Sequence, residues 1–266
     1  MLPGGNCPQF CFPEPGPLLT DQHAKAKDEI DVNEEARTSP PKPESGDIGH
    51  YETVAQLPSS LPLFPLPGAL LFAREILPLN IFEPRYLAMV DEVLAHDRMI
   101  GVIQPLEADA EAPHPQLQSV GCAARLVTFQ ETTNNRYLIS LKGICRFDLQ
   151  EEAPLHQAGF RSARVSYNRF DFDLKPSGDA GRINRKGLLE VVKKYLDRNN
   201  MDANWEVIRQ TPDESLINYL CMVSPFGVRE RQALLEAETL VDRTDMMIAL
   251  AEMLLAAGDD DQTPVH

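Results

Sequence analysis

Prolines decide what the most apolar part of this chain can become. Residues 61–90 read LPLFPLPGALLFAREILPLNIFEPRYLAMV. Leu61, Leu63, Phe64 and Leu66 are apolar enough for a sheet interior, but Pro62, Pro65 and Pro67 interrupt them. A proline has no N–H to give to a ladder, which confines it to edges, strand starts and bulges. The run is therefore expected as an edge strand or an extended arm. Pro67-Gly68 marks a turn. Residues 69–72 and 75–82 follow as β-leaning runs joined at Ala73-Arg74, and Pro78 assigns the second to an edge or a bulge. Pro84 then stands at a first helical position, where its missing N–H costs little. Tyr86, Leu87, Met89, Val90, Val93 and Leu94 continue at helical spacing.

Upstream, residues 1–57 hold ten acidic and four basic side chains, with prolines clustered in PEPGP and SPPKPESG. Such a segment buries too little apolar area to offset its ordering entropy, so it is expected to stay disordered. Cys7, Cys11 and His23 lack the second matched pair that a zinc site needs.

Downstream, MIGVIQ at 99–104 reads as a buried strand and residues 105–118 as an exposed loop. Three β runs follow, at 122–130, 136–142 and 145–149, with Gly143 as a break, and residues 160–167 alternate again. In the middle run Tyr137, Ile139 and Leu141 face one way. Meandering strands with one early helix predict an α+β unit over residues 58–170 that can curl into a small barrel.

Residues 171–258 read as a helical bundle. A helix over 183–199 puts Leu188, Val191, Val192, Tyr195 and Leu196 on one face. Residues 203–210 form a short helix or turn around Trp205. The next helix opens on Thr211 as N-cap, Pro212 at N1 and Glu214 at N3. Helices over 228–237 and 239–257 complete the bundle, and residues 259–266 form an acidic tail.

The formal net charge is −15. That balance disfavours phosphate backbones and anionic lipid, so neither nucleic acid nor membrane is an expected partner. Five scattered cysteines fit a reducing compartment. With no secretory signal and no spanning segment in the sequence, a cytoplasmic location is expected.

Two blocks of the sequence resemble the N-terminal, substrate-binding domain of the ATP-dependent protease Lon. The first is LPLFPLPGALLF with ILPLNIFEPRY and the helix it opens. The second is PDESLINYLCMVSPFGVRERQALLEAETLVDRTDMMIALAEMLL, which contains the QxLLE segment Gln232-Ala233-Leu234-Leu235-Glu236. Together they span about residues 61–257. The resemblance implies a six-stranded, PUA-like pseudo-barrel followed by a helical bundle. It also implies a non-catalytic module of protein quality control that binds unfolded or degron-bearing polypeptides, with a separate ATP-dependent protease as a further partner.

Lon's ATPase and Ser-Lys peptidase modules are not expected here: there is no GxxxxGK[ST], and the chain closes after the helical block. The sequence likewise lacks GxGxxG, GxSxG and HExxH, so no cofactor or metal is expected. Two rival readings remain, a PUA-like module for RNA or a small ligand, and an uncharacterised hydrolase with a triad assembled in space.

For polypeptide binding, the exposed backbone of an edge strand can pair with an extended client. Phe64, Leu66, Phe72 and Phe82 are the candidate apolar contacts alongside it. Arg85 and Tyr86 of the EPRY motif are candidates for shaping a groove. The blander reading has Tyr86 in the core and Arg85 paired locally. Met246, Met247 and Met253 offer a soft surface, although their spacing inside an apolar run favours the core.

Overall fold

The computed structural model describes residues 51–106, 114–179, 181–199 and 201–257, preceded by a two-residue strand, β1 (Leu19–Thr20). The larger sheet comprises β2 (Ser60–Pro65), β3 (Ile76–Ile81), β4 (Met99–Pro105), β5 (Leu117–Glu131), β6 (Tyr137–Glu152) and β7 (Arg161–Ser166). Helix α1 (Pro84–Leu94) lies between β3 and β4. After β7 come α2 (Arg185–Arg198), β8 (Asp202–Ala203), α3 (Trp205–Gln210), α4 (Asp213–Val223), α5 (Val228–Glu236) and α6 (Leu240–Ala257). The class is α+β. Most of residues 1–50 and the acidic tail from 259, both expected to be unstructured, lie outside the described residues. Residues 51–57 are folded. Thr53 and Gln56 box a 3-10 turn at Val54–Gln56, Leu57 is buried, and the Tyr51 hydroxyl accepts from Arg125 at 3.0 Å.

Five strands run β6-β5-β4-β2-β7, and β7 returns to β6, closing a ring; β3 hangs on β6 outside it. The long β6 makes this possible. Its first half lies opposite β3 (Tyr137 to Lys142) and its last part opposite β7 (Asp148 to Glu152), with β5 along its other flank. Every residue of β4 is buried. Strand alternation divides it: Met99 and Ile103 join the core shared with the helices, while Ile100 and Val102 join the core under α1.

The proline-punctuated run behaves differently from expectation. β2 is no edge, because it has a strand on each side. The partners divide it: β7 lies opposite Ser60–Leu63 and parallel β4 opposite Leu63–Pro65. Pro62 and Pro65 each keep one flank on which no ladder bond is required, which is how a central strand tolerates them. Residues 70–73 form no strand, yet Leu70, Leu71, Phe72 and Ala73 are buried.

Gly143 does not break β6 either. The strand continues through it with a register shift against β5. A Cβ at Gly143 would sit 2.0 Å from the Phe72 carbonyl oxygen. The backbone of residues 72–75 is hydrogen-bonded there, Arg74 N–H to Gly143 O at 2.7 Å and Gly143 N–H to Glu75 O at 2.9 Å. Thr211 also differs: α4 starts after Pro212, and Thr211 ends α3 by donating its hydroxyl to Val207 O at 2.8 Å. Asp213 and Glu214 still occupy the first turn of α4, at its positive end.

A buried arginine fastens the sheet to the helices. Arg146 on β6 is 2% exposed. Its Nε and Nη2 donate to the two carboxylate oxygens of Asp173, each at 2.9 Å, and Nη1 donates to Leu235 O and Ala237 O at the end of α5. A cation among those terminal carbonyls also meets the negative end of the helix. Gln232, in the QxLLE segment, adds a second fastening: its amide donates to Val120 O on β5, and its carbonyl accepts from Gln104 on β4, both at 3.1 Å.

Candidate functional site

Strand β3 has β6 on one side and, among the described residues, no strand on the other. Pro78 lies opposite Ser140 and cannot donate to it. In an antiparallel pair, hydrogen-bonded and non-bonded positions alternate. The bonds to β6 therefore run through Leu77, Leu79 and Ile81. Ile76, Pro78 and Asn80 turn their backbone groups toward the open side. That side offers N–H groups at Ile76 and Asn80 and carbonyls at all three. Pro78 leaves a gap in the middle of the edge.

Apolar side chains surround this edge in the open. Ile76 is 47% exposed, Phe82 45% and Leu138, opposite Asn80, 42%. Phe82 carries the Arg136 guanidinium 5.4 Å above its ring. Phe129 is also exposed, edge-on to Tyr137 with ring centres 4.9 Å apart, and the Tyr137 hydroxyl donates to Asp91 Oδ1. Asn80 Oδ1 is buried without a hydrogen-bond partner.

Of the six residues singled out from sequence, Phe64, Leu66, Phe72 and Tyr86 are buried and so offer no contact surface. Phe64 packs on Tyr86 with ring centres 4.4 Å apart, and Phe72 lies beneath the Arg243 guanidinium. Phe82 and Arg85 reach the surface, at the junction of β3 and α1. Arg85 Nε donates to Glu83 at 3.0 Å, the local pairing, and its guanidinium covers the Tyr86 ring. Ile76, Leu138 and Phe129 were not singled out. Leu138 was readable: if Tyr137, Ile139 and Leu141 point inward, Leu138 is an apolar residue on the outer face. Of the methionines, Met247 is core and Met253 is 67% exposed.

A polar cleft of about 700 Å³ lies between sheet and helices, lined by Arg74, Asp173, Lys175, Asp179, Glu214 and Arg243 among others. Arg74 holds a left-handed backbone, φ 71°. Its side chain donates to Asp173 O and pairs with Glu214 on α4. The next residue, Glu75, is pushed up to about 7, first by burial and then by the Glu214 carboxylate; hydrogen bonds from Asn218 and Ser215 and the Arg74 charge oppose the shift. The unfolded chain ionises this carboxyl near 4.5 and the folded chain near 7. The folded state retains the extra proton between those values, so it loses stability as pH rises through that window. Glu75→Gln is expected to raise Tm at pH 8 by a few degrees, about 1 kcal/mol after allowing for partial exposure, and to change it little near pH 4.5. Thermal melts at the two pH values check this; equal melting at pH 8 refutes it.

The thiols are poorly placed for covalent chemistry. Cys122, Cys145 and Cys221 are free and buried, and burial pushes Cys122 and Cys221 up to about 12. Thiols held protonated in this way are inert. Among the described residues, no group of His, Cys, Asp and Glu could hold a metal, and no helix is long and apolar enough to cross a membrane.

The described residues thus form a strand ring with one open-edged strand, backed by helices. Residues 60–252 match the model of the ATP-dependent protease La (LON) substrate-binding domain. The chain belongs to that family, whose domain is non-catalytic. Lon protease 2 of Myxococcus xanthus is 25% identical over 198 residues, 73% of this chain and 24% of that protein. Lon protease of Cytophaga hutchinsonii is 25% identical over 222 residues, 79% of this chain and 26% of that protein. The chain thus spans about a quarter of the length of these curated relatives. The N-terminal domain of a Mycobacterium avium complex Lon protease superposes with TM-score 0.53 at 15% identity, over 73% of this chain and 98% of that one. A Lon N-terminal domain protein from Xanthomonas campestris gives 0.51 at 22%, over 71% and 97%. At these identities the likeness is one of fold.

Proposed function

We propose that this chain recognises unfolded or degron-bearing polypeptides at the open edge of β3, in cytoplasmic protein quality control, and passes them to a separate ATP-dependent protease. The observation that carries the reading is the edge of β3, unpaired among the described residues and set among exposed Ile76, Phe82 and Leu138, in a chain of the substrate-binding family. An extended client adds a strand there. It pairs with the backbone at Ile76 and Asn80, and its alternate side chains lie over the exposed apolar groups. The Pro78 gap keeps the pairing short. Short pairing with few fixed side-chain demands suits many sequences bound weakly.

The edge can be tested without disturbing the core. Changing Ile76 and Leu138 together to aspartate is expected to weaken binding of a permanently unfolded, carboxymethylated polypeptide at least tenfold, about 1.4 kcal/mol. Both side chains are exposed, so Tm should move by no more than about a degree. Fluorescence anisotropy and thermal melts give the two readouts. Unchanged affinity would remove β3 as the site.

A further inference from the structure

The polar cleft between sheet and helices holds more positive charge than its carboxylates balance. Three guanidinium groups line it, those of Arg74, Arg146 and Arg243. Its buried or half-buried carboxylates are already taken: Asp173 by Arg146, Glu214 by Arg74 and Asp179 by Arg182. Arg243 is 5% exposed, and among the described residues no carboxylate lies within ion-pairing distance of it. It meets neutral acceptors instead, Leu234 O at 3.3 Å and Asn218 Oδ1 at 2.5 Å, and lies 4.2 Å from the centre of the Phe72 ring. A desolvated cation in that position gains most from a counter-ion. Glu75, hydrogen-bonded to the same Asn218, is pushed up to about 7 by burial, so below neutral pH it does not offset Arg243. Arg74 adds an unused donor: its Nε is buried and has no hydrogen-bond partner. The interior of the cleft is thus matched to one negative charge.

The exposed lining has the opposite sign. Glu52, Asp171 and Glu238 line the cleft and face solvent. A doubly charged phosphate is repelled there more strongly than a singly charged carboxylate, and a cationic group on the same ligand is attracted. Phe172, also in the lining, is 47% exposed and offers an apolar surface beside the charges. At about 700 Å³ the cleft has the size of a small-ligand site. A planar carboxylate is the anion that a guanidinium fork grips best in such a place. We propose that this cleft binds an α-carboxylate, that of a free amino acid or of a polypeptide's C-terminus, against Arg243 and Arg74, with cationic groups of the ligand turned to Glu52, Asp171 and Glu238. The inference does not rest on β3, and the site stands whether or not that edge takes clients.

The probes are acetyl-Lys-Ala-Phe with a free C-terminus, the same peptide ending in an amide, and free lysine. Each is titrated into the full chain by calorimetry at about pH 6.5, where an α-carboxyl is ionised. The free acid, or free lysine, is expected to bind at least tenfold more tightly than the amide. Free lysine matching the free acid assigns the site to an amino acid; free lysine tenfold weaker assigns it to a chain end. The bound carboxylate should also move the side-chain Nε–H resonances of Arg74 and Arg243 in the unaltered chain, a readout that needs no substitution. Arg74→Gln, with circular dichroism confirming its fold, should weaken binding at least tenfold. Equal affinity for acid and amide, absence of binding by both carboxylates, or binding that leaves both arginine resonances in place would each overturn the site.

Discussion

Arg146→Ala is expected to lower the free energy of unfolding by about 3–5 kcal/mol, the cost of stranding one member of a buried ion pair. Asp173 would lose its guanidinium partner in a site that is 7% exposed, and Leu235 O and Ala237 O would lose their donor. The loss should appear in urea denaturation as a lower midpoint with little change in slope. Replacing both partners with apolar residues, Arg146→Met with Asp173→Leu, removes the stranded charge and should recover much of the stability. It should not recover the fastening of α5 to the sheet. Hydrogen exchange would then show faster opening at residues 235–238 in the double variant even where its midpoint approaches that of the unaltered chain. A midpoint for Arg146→Ala within about 1 kcal/mol of the unaltered protein would show that the pair carries little of the junction.

Gly143→Ala should have an effect of similar size by a different route. Its new Cβ would sit 2.0 Å from Phe72 O and 2.7 Å from Phe72 C, and backbone cannot yield as the tip of a flexible side chain can. Either β6 or the segment before β3 must move, which would break the bonds joining Gly143 to Arg74 and Glu75. Overpacking of this kind costs about 3 kcal/mol or more. Movement of the segment should also disturb the Arg74–Glu214 pair and the placement of β3, so client affinity and stability are expected to fall together. Denaturation and anisotropy on one preparation check both. A variant that melts within about two degrees of the unaltered chain would show that the approach relaxes without breaking the ladder.

Much of the architecture was legible because it rests on local patterns. Pro84 opens α1, Pro78 marks an edge strand, and the apolar face of α2 is the buried one, with Leu188, Val191, Val192 and Leu196 in the core. The misreadings share a cause: a residue's local meaning was overridden by a distant partner. Pro62 argued for an edge, but β7, about a hundred residues later, takes one flank of β2 and leaves the proline's other flank free. Gly143 resembled a strand end; it is glycine because the Phe72 carbonyl comes close. Thr211 has the chemistry of an N-cap and spends it on the preceding helix. The buried fastenings were illegible for the same reason. Nothing in the neighbourhood of Arg146 indicates that its carboxylate lies 27 positions away and its carbonyl acceptors about ninety.

At the candidate edge, exposure was the missing quantity. Phe64, Leu66 and Phe72 are as apolar as Phe82, and composition alone cannot say which of four similar side chains faces water. Strand alternation could have separated them at Leu138, where a single outward leucine breaks an otherwise consistent pattern.

The closed ring has a consequence for how copies of this molecule could meet. Five of the six strands in the larger sheet have a partner strand on each side over part of their length, and among the described residues β3 is the one with a partner on a single side. Two copies that joined through β3 would cover the open flank of that strand in each. Growth through β3 alone therefore halts at a pair.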